Sequence, residues 1–174
     1  MTGRTVPAGV EAYTEAAILA AVSLGLEVLG LRDGIAHTNL AFTSEGSKLI
    51  QVGAGPPDGA TMEMIEHATG VNVARTYLQA TLGQPPDIRP ARREAAAVRF
   101  ISTVHHGVFH ELTGLSVSPH VIAVRSCAEP GELVGDTYVT HTRLGHLIVV
   151  AATPPQADAY ADRAVEGISS HVEA

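Results

Sequence analysis

Glycine and proline divide this chain into short elements, and the spacing of apolar residues changes near the middle. Apolar positions recur at helical spacing over residues 10–29, with Pro7 ahead of the run and Gly30 directly after it. After residue 93, short apolar runs separated by turn residues predict strands. The segment 84–93 contains three prolines and three arginines, which is typical of a boundary. We therefore expect two portions, residues 1–88 and 89–174, joined in one compact unit.

Each portion has a specific order of predicted elements. The first contains a helix over residues 10–29, a β-hairpin of residues 35–42 and 48–52, the Gly/Pro loop 53–59, a helix capped by Thr61 and ended by Gly70, and a helix over residues 72–82. The second contains strands over residues 95–104, 107–112, 121–126 and 144–151, and a final helix over residues 155–172.

Composition and charge exclude several classes of protein. The chain is 45% hydrophobic and 17% charged, which is too apolar for a disordered segment. Its net charge of −7 argues against a nucleic-acid surface. The apolar stretch 16–31 carries Ser23 and Glu27 and is too short to span a bilayer. A single cysteine, Cys127, excludes an intrachain disulfide; we expect it in the core of a cytoplasmic protein.

A series of short motifs follows the predicted elements in order. The motifs are Leu29-Gly30-Leu31, Gly34, His37-Thr38-Asn39, Gln51-Val52-Gly53-Ala54-Gly55, Gly59, Ala68-Thr69-Gly70-Val71-Asn72, Leu82-Gly83, Arg99-Phe100-Ile101, Glu129-Pro130-Gly131 and Leu144-Gly145-His146-Leu147-Ile148. From about Val10 onward, this order resembles the C-terminal catalytic lobe of the ATP-grasp superfamily, in the branch with biotin carboxylase and the amino-acid ligases. The resemblance implies an α+β fold, an antiparallel sheet with packed helices.

The departures from that family concern its metal site. The resemblance implies that the family's two magnesium-binding carboxylates fall at Asn39 and Gln51, and that its metal-contacting Asn and phosphoryl-stabilising Arg fall at Gly53 and Gly55. Magnesium prefers carboxylate oxygen, and phosphoryl transfer depends on the metal and a cation. The resemblance also implies that the nucleotide-binding lobe lies upstream of this chain. We therefore expect no ATP cofactor, no metal and no ligase activity for the chain alone.

Strand alternation groups the polar residues of the hairpin. His37, Asn39 and Gln51 are expected on one open face, while Ile50 and Val52 pack under the helices with the other apolar residues. In one interpretation the polar group is a solvated or dimer-facing remnant. In the other it is a pocket, in which His37 acts as acid or base and the two amides bind a carbonyl or carboxylate.

Other polar residues are weaker candidates. Asp58 is a possible acid or base in the Gly/Pro loop, which has no Walker spacing, and Arg32 could bind an anionic ligand. His106 and His110 would suit zinc on a helix, but the residues between them favour a strand, which would hold them too far apart. His141 and His146 are expected at the surface or in turns.

Two functions remain open from the sequence. The first is an ATP-independent enzyme that acts on a small, carboxylate-bearing metabolite by cyclisation, isomerisation or elimination. The second is a non-catalytic partner, or an oligomer-bracing subunit of a biosynthetic enzyme. In both we expect a homodimer, because a truncated lobe would expose apolar surface that needs cover, and no nucleic-acid or membrane partner.

Overall fold

The computed structural model describes residues 3–114, 118–135 and 142–173. The chain forms two compact units. Residues 9–91 make the first, here called the N-terminal unit, and residues 1–8 and 92–174 make the second, the C-terminal unit. Within the described ranges, no helix combines the length and the hydropathy needed to cross a bilayer.

The N-terminal unit contains the elements predicted from the sequence, each within two residues of its expected bounds except at the start of α2. They are α1 (Ala12–Val28), β2 (Ala36–Thr43), β3 (Gly46–Ala54), α2 (Gly59–Thr69) and α3 (Val73–Thr81), where β2 and β3 form an antiparallel hairpin. Gly30 ends α1 because it adopts a positive φ of 70°. The Leu31 N–H then donates to the carbonyl of Leu26, which closes the helix end.

The C-terminal unit is built from two antiparallel sheets and one helix. A four-stranded sheet has the order β1 (Gly3–Val6), β4 (Ala95–Thr103), β8 (Thr142–Ala151), β6 (Val121–Ser126), and a three-stranded sheet has the order β7 (Leu133–Val134), β5 (Gly107–Thr113), β9 (Ser169–Glu173). Helix α4 (Pro154–Glu166) supplies small residues such as Ala157 and Ala161 to a core that also contains Phe109 and Leu147. The four strands predicted after residue 93 are confirmed.

The end of the chain differs from the prediction. The final helix was expected to continue to Val172, but α4 ends at Glu166 and residues 169–173 form β9 against β5. The burial of β9 alternates along the strand, and Val172 packs against the core beside Phe109. Gly167 follows the helix, and pairing with β5 then outweighs the weak helical pattern of the last residues.

Two predictions of side-chain exposure are wrong, a core position for Cys127 and a surface position for His146. Cys127 is exposed, because it follows the last residue of β6 instead of lying within the strand. His146 is buried, because it lies in β8, where its ring packs edge-on against Phe100 at a centroid distance of 6.4 Å. His141 lies outside the described residues.

A buried arginine holds β1, β4 and α4 together. Arg99 of β4 is 8% exposed. Its Nη2 donates to Asp158 Oδ1 and its Nε to Asp162 Oδ1, both at 2.6 Å, and both aspartates belong to α4. The hydroxyl of Thr5 in β1 also donates to Asp158. One guanidinium therefore connects two strands and a helix of the same unit.

These contacts shift the pKa of Asp158. Burial alone would raise it, but the hydrogen bonds from Arg99 and Thr5, together with the charge of Arg99, outweigh burial and hold the pKa below its ordinary value. A carboxyl group whose pKa is lower in the folded state than in the unfolded state stabilises the fold above its unfolded pKa. That stabilisation is lost as the pH falls through the folded pKa.

Replacement of this carboxylate is expected to cost stability only where the carboxylate is ionised. At pH 7, Asp158→Asn should lower the free energy of unfolding by about 1 kcal/mol, a modest value because the side chain is nearly half exposed and solvent screens the pair. The difference from the native chain should shrink between about pH 5 and pH 2.5, as measured by urea unfolding. Asp33→Asn, at an exposed loop position, is the control. An equal cost of Asp158→Asn at both ends of that pH range would contradict the ion-pair explanation.

Candidate functional site

The two amides predicted to replace magnesium ligands face each other across the hairpin. Asn39 of β2 and Gln51 of β3 are register partners. Asn39 Nδ2 donates to Gln51 Oε1 at 3.2 Å, and both side chains are exposed. The pair is neutral, and each amide partly satisfies the other. The hairpin therefore presents amide donors and acceptors at the positions where the resemblance implies carboxylates.

His37 lies on the same face as this amide pair. It precedes Asn39 by two residues on β2, so strand alternation places both side chains on one side of the hairpin. Its register partner is Gly53, and a Cβ placed on that glycine would meet only the His37 carbonyl oxygen within 4 Å, at 3.7 Å. The structure thus groups His37, Asn39 and Gln51 on one open face, with His37 half-buried. Their chemical roles stay predictions.

A β-bulge changes the other face of the hairpin. The register shifts between Asn39 and Leu40, so that Leu40 pairs with Leu49 instead of Ile50. Leu49 then faces α1, where its Cδ1 would lie 3.1 Å from a Cβ at Gly25. Ile50 was expected to pack under the helices, but it is 69% exposed. That prediction is wrong because strict alternation along β3 does not hold across the bulge.

Arg32 lies in the connection between α1 and β2. It is exposed and, with Asp33 and Leu31, lines a cavity of about 90 Å³. That volume is well below the roughly 300 Å³ at which small-molecule pockets usually begin. The cavity and the amide pair share no residue among those the structure describes, so the role of Arg32 in binding an anion stays a prediction.

Asp58 has a structural role that the sequence did not indicate. Its Oδ1 accepts hydrogen bonds from the Thr61 backbone N–H at 2.9 Å and from the Thr61 hydroxyl at 3.0 Å. Asp58 is therefore the N-cap of α2, and the prediction that Thr61 caps this helix is wrong, since Thr61 is buried inside its first turn. A carboxylate engaged as a cap is less available for proton transfer. The acid/base role of Asp58 stays a prediction.

Substitution of the cap separates these roles. Asp58→Ala should lower the free energy of unfolding by about 1 kcal/mol, because two donors lose their acceptor. Asp58→Ser keeps a capping oxygen and should lose only a few tenths of a kcal/mol. Urea unfolding of both variants checks this expectation. The capping role fails if Ser is as destabilising as Ala.

The sequence did not indicate that His110 and His171 of the C-terminal unit form a stacked pair. His110 Nε2 lies 3.0 Å from Glu173 Oε2, and the rings of His110 and His171 stack with centroids 4.8 Å apart. The sequence pattern identified His110 as a strand residue, but it placed His171 at the end of a helix and Glu173 directly after that helix, so nothing in it brought them together. His106 precedes β5. Within the described ranges, no three His, Cys, Asp or Glu side chains are placed to hold one metal ion.

Comparison with known proteins identifies the fold. Residues 99–173 match the family model described as L-amino acid ligase C-terminal domain 2. No curated protein matches the sequence significantly. The predicted resemblance to the C-terminal portion of the ATP-grasp ligases, and the α+β class, are confirmed by solved structures that cover nearly the whole chain.

Three of these structures illustrate the match. An L-amino acid ligase from Bacillus licheniformis superposes with a TM-score of 0.83 at 20% identity, over 99% of this chain and 44% of that one. Phosphoribosylglycinamide synthetase from Anaerococcus prevotii superposes with a TM-score of 0.81 at 14% identity, over 98% of this chain and 45% of that one. N5-carboxyaminoimidazole ribonucleotide synthetase from Thermotoga maritima superposes with a TM-score of 0.73 at 19% identity, over 98% of this chain and 46% of that one. The chain thus spans less than half the length of each structure.

Proposed function

We propose that this chain is an ATP-independent protein of the ATP-grasp ligase fold that binds a small carboxylate- or carbonyl-bearing metabolite on the His37 face of the hairpin. We propose further that it transforms this metabolite, by cyclisation, isomerisation or elimination, with His37 as the acid or base. The observation that carries the proposal is the hydrogen bond that Asn39 donates to Gln51, at the positions where the family resemblance implies magnesium ligands.

The amide pair does not fit magnesium. Mg²⁺ dehydrates reluctantly and is held in proteins mainly through carboxylates and the phosphates of its substrate. Two neutral amides cannot offset its charge. In addition, one acceptor oxygen, Oε1 of Gln51, is already engaged by Asn39. We therefore derive no phosphoryl-transfer step for this face.

The same pair suits an oxygen-rich ligand. Each amide group carries two N–H donors. The bond to Gln51 uses one donor of Asn39, so among the described residues one donor remains on Asn39 and two on Gln51. Three neutral donors side by side can bind a carboxylate or a carbonyl oxygen. His37, two residues along the same strand, can then exchange a proton with a bound molecule.

Magnesium binding separates this proposal from ordinary ligase chemistry. The native chain should show no change in melting temperature with millimolar Mg-ATP. The double variant Asn39→Glu/Gln51→Glu, which places two carboxylates on this face, should gain a rise of a few degrees with Mg²⁺ alone. Gln84→Glu/Gln156→Glu adds the same charge at exposed positions elsewhere and should not respond. A clear rise of the native chain with Mg-ATP would falsify the ATP-independent part of the proposal.

Ligand binding by the amides is tested on the same chain. Within a panel of amino acids and 2-oxo acids, a ligand that raises the melting temperature should lose this effect in Asn39→Ala/Gln51→Ala but keep it in Gln84→Ala. His37→Gln should keep the rise and abolish conversion of the ligand, followed by NMR of the mixture. If the double alanine variant retains the full rise, the hairpin face is not the binding site.

Helix α1 supports the partner hypothesis as a second candidate. None of its residues is buried. Thr14, Ile18, Val22 and Gly25, which are half-buried, mark its packed side. On the outer side, Tyr13 is 86% exposed, Leu24 62% and Val28 77%. Small alanines between these residues leave a flat apolar stripe at helical spacing, which is typical of a surface that is covered by another protein.

For this second candidate we propose a second copy of the chain as the cover. Sedimentation equilibrium should then give a dimer mass for the native chain, and Tyr13→Ser/Leu24→Glu should give the monomer mass because a charge in the stripe cannot be buried without a partner. Leu133→Glu, at an exposed apolar residue of the C-terminal unit, should remain a dimer. A native chain that stays monomeric at high micromolar concentration would contradict the homodimer.

A further inference from the structure

The C-terminal unit contains a cavity that the hairpin hypothesis does not use. It lies beside β5 and β6 and reaches the turn that precedes β7, and its volume is about 550 Å³. Small-molecule sites usually enclose roughly 300–1,000 Å³. The cavity is therefore large enough for a metabolite with an extended apolar body.

The wall of this cavity is largely apolar. Leu112 from β5, Val124 from β6, Ala128 and Pro130 line it together with buried Phe109. Leu112 and Val124 also pack against the core of the unit, so this wall is held in place by side chains that the fold itself requires. An apolar wall of this kind binds a hydrocarbon or aromatic group by removing its surface from water.

The polar part of the lining is acidic. Glu111 and Glu129 both line the cavity and are exposed. Neither carboxylate takes part in an ion pair with another described residue, and no lysine or arginine is among the described lining residues. Apart from His110, the charged groups of the described lining are therefore two carboxylates. Its electrostatic potential favours a cation.

His110 adds an oriented group to the lining. Its Nε2 is hydrogen-bonded to Glu173 and its ring is stacked on His171, so the imidazole has a defined position. In the tautomer whose Nε2–H donates a hydrogen bond to Glu173, Nδ1 carries the lone pair and can accept a hydrogen bond. An ammonium group offers three donors for such acceptors.

We propose that this cavity binds an organic ammonium cation with an apolar body, its charge held by Glu111 and Glu129 and its body against Leu112 and Val124. The site lies wholly within the C-terminal unit, so it is independent of the amide pair on the hairpin. Its ligand class is also the opposite one in charge, since the hairpin face offers neutral donors to an oxygen-rich group.

Three probes with similar apolar bodies test the charge preference. Isothermal titration of the full chain with 2-phenylethylamine, 2-phenylethanol and phenylacetate should give the tightest binding for the amine. The alcohol should bind about tenfold more weakly and the acid weaker still, since each partly exposed carboxylate contributes a few-fold. Equal affinity for amine and alcohol, or no detectable binding of the amine at about 10 mM, a concentration well above the roughly millimolar Kd of a weak site, would overturn the proposal.

Variants assign the preference to this cavity. Glu111→Gln/Glu129→Gln should weaken the amine about tenfold and leave the alcohol unchanged. Both residues are exposed, so the fold should survive, as circular dichroism can verify. Glu94→Gln, an exposed glutamate outside the cavity, should keep amine affinity, and so should Asn39→Ala/Gln51→Ala. If the double glutamine variant binds the amine as tightly as the native chain, the site is elsewhere and the proposal fails.

Discussion

The register of the β2–β3 hairpin is the constraint on which the candidate site depends. Because Asn39 and Gln51 are cross-strand partners, their amides lie within hydrogen-bonding distance without help from any loop. Because the register shifts by one residue directly afterwards, Leu49 turns toward α1 and anchors the hairpin against the helix. Because of the bulge, β3 presents Gln51 on the open face and packs Leu49, only two residues away, against α1. A regular ladder would leave Leu49 and Gln51 on the same face.

Much of the fold can be predicted from the spacing of apolar residues and from the positions of glycine and proline. The elements that were predicted wrongly have specific physical causes. Helix α1 and the strands after residue 93 are visible in the sequence because their apolar spacing is regular and glycine or proline ends them. The bulge between Asn39 and Leu40 is not visible in the sequence, because a pattern of alternating residues does not show where one strand gains an extra residue. The sequence does not indicate β9, because this short polar segment becomes a strand only by pairing with β5, which is distant along the chain.

The candidate sites also include features that the sequence predicts and features that it does not. The grouping of His37, Asn39 and Gln51 could be predicted, since alternation within one hairpin is a local property. The capping role of Asp58 required the position of the helix start to within one residue. The contact of His110 with Glu173 required the fold of the chain's last residues, so no local pattern could indicate it. A site is therefore predictable from this sequence where strand alternation alone places its residues, and it is not where it requires an exact helix boundary or the pairing of distant segments.

The pairing of β1 with β4 has a consequence for the order of assembly. Gly3 lies opposite Arg99, and the whole N-terminal unit is the connection between these two strands. That unit is, in effect, an insertion in a sheet whose first strand is made long before its neighbour. During synthesis β1 cannot pair until the N-terminal unit and then β4 have been made. If this connection folds early, its two ends are held closer together than in an unfolded chain. The entropic cost of bringing β1 to β4 is then smaller.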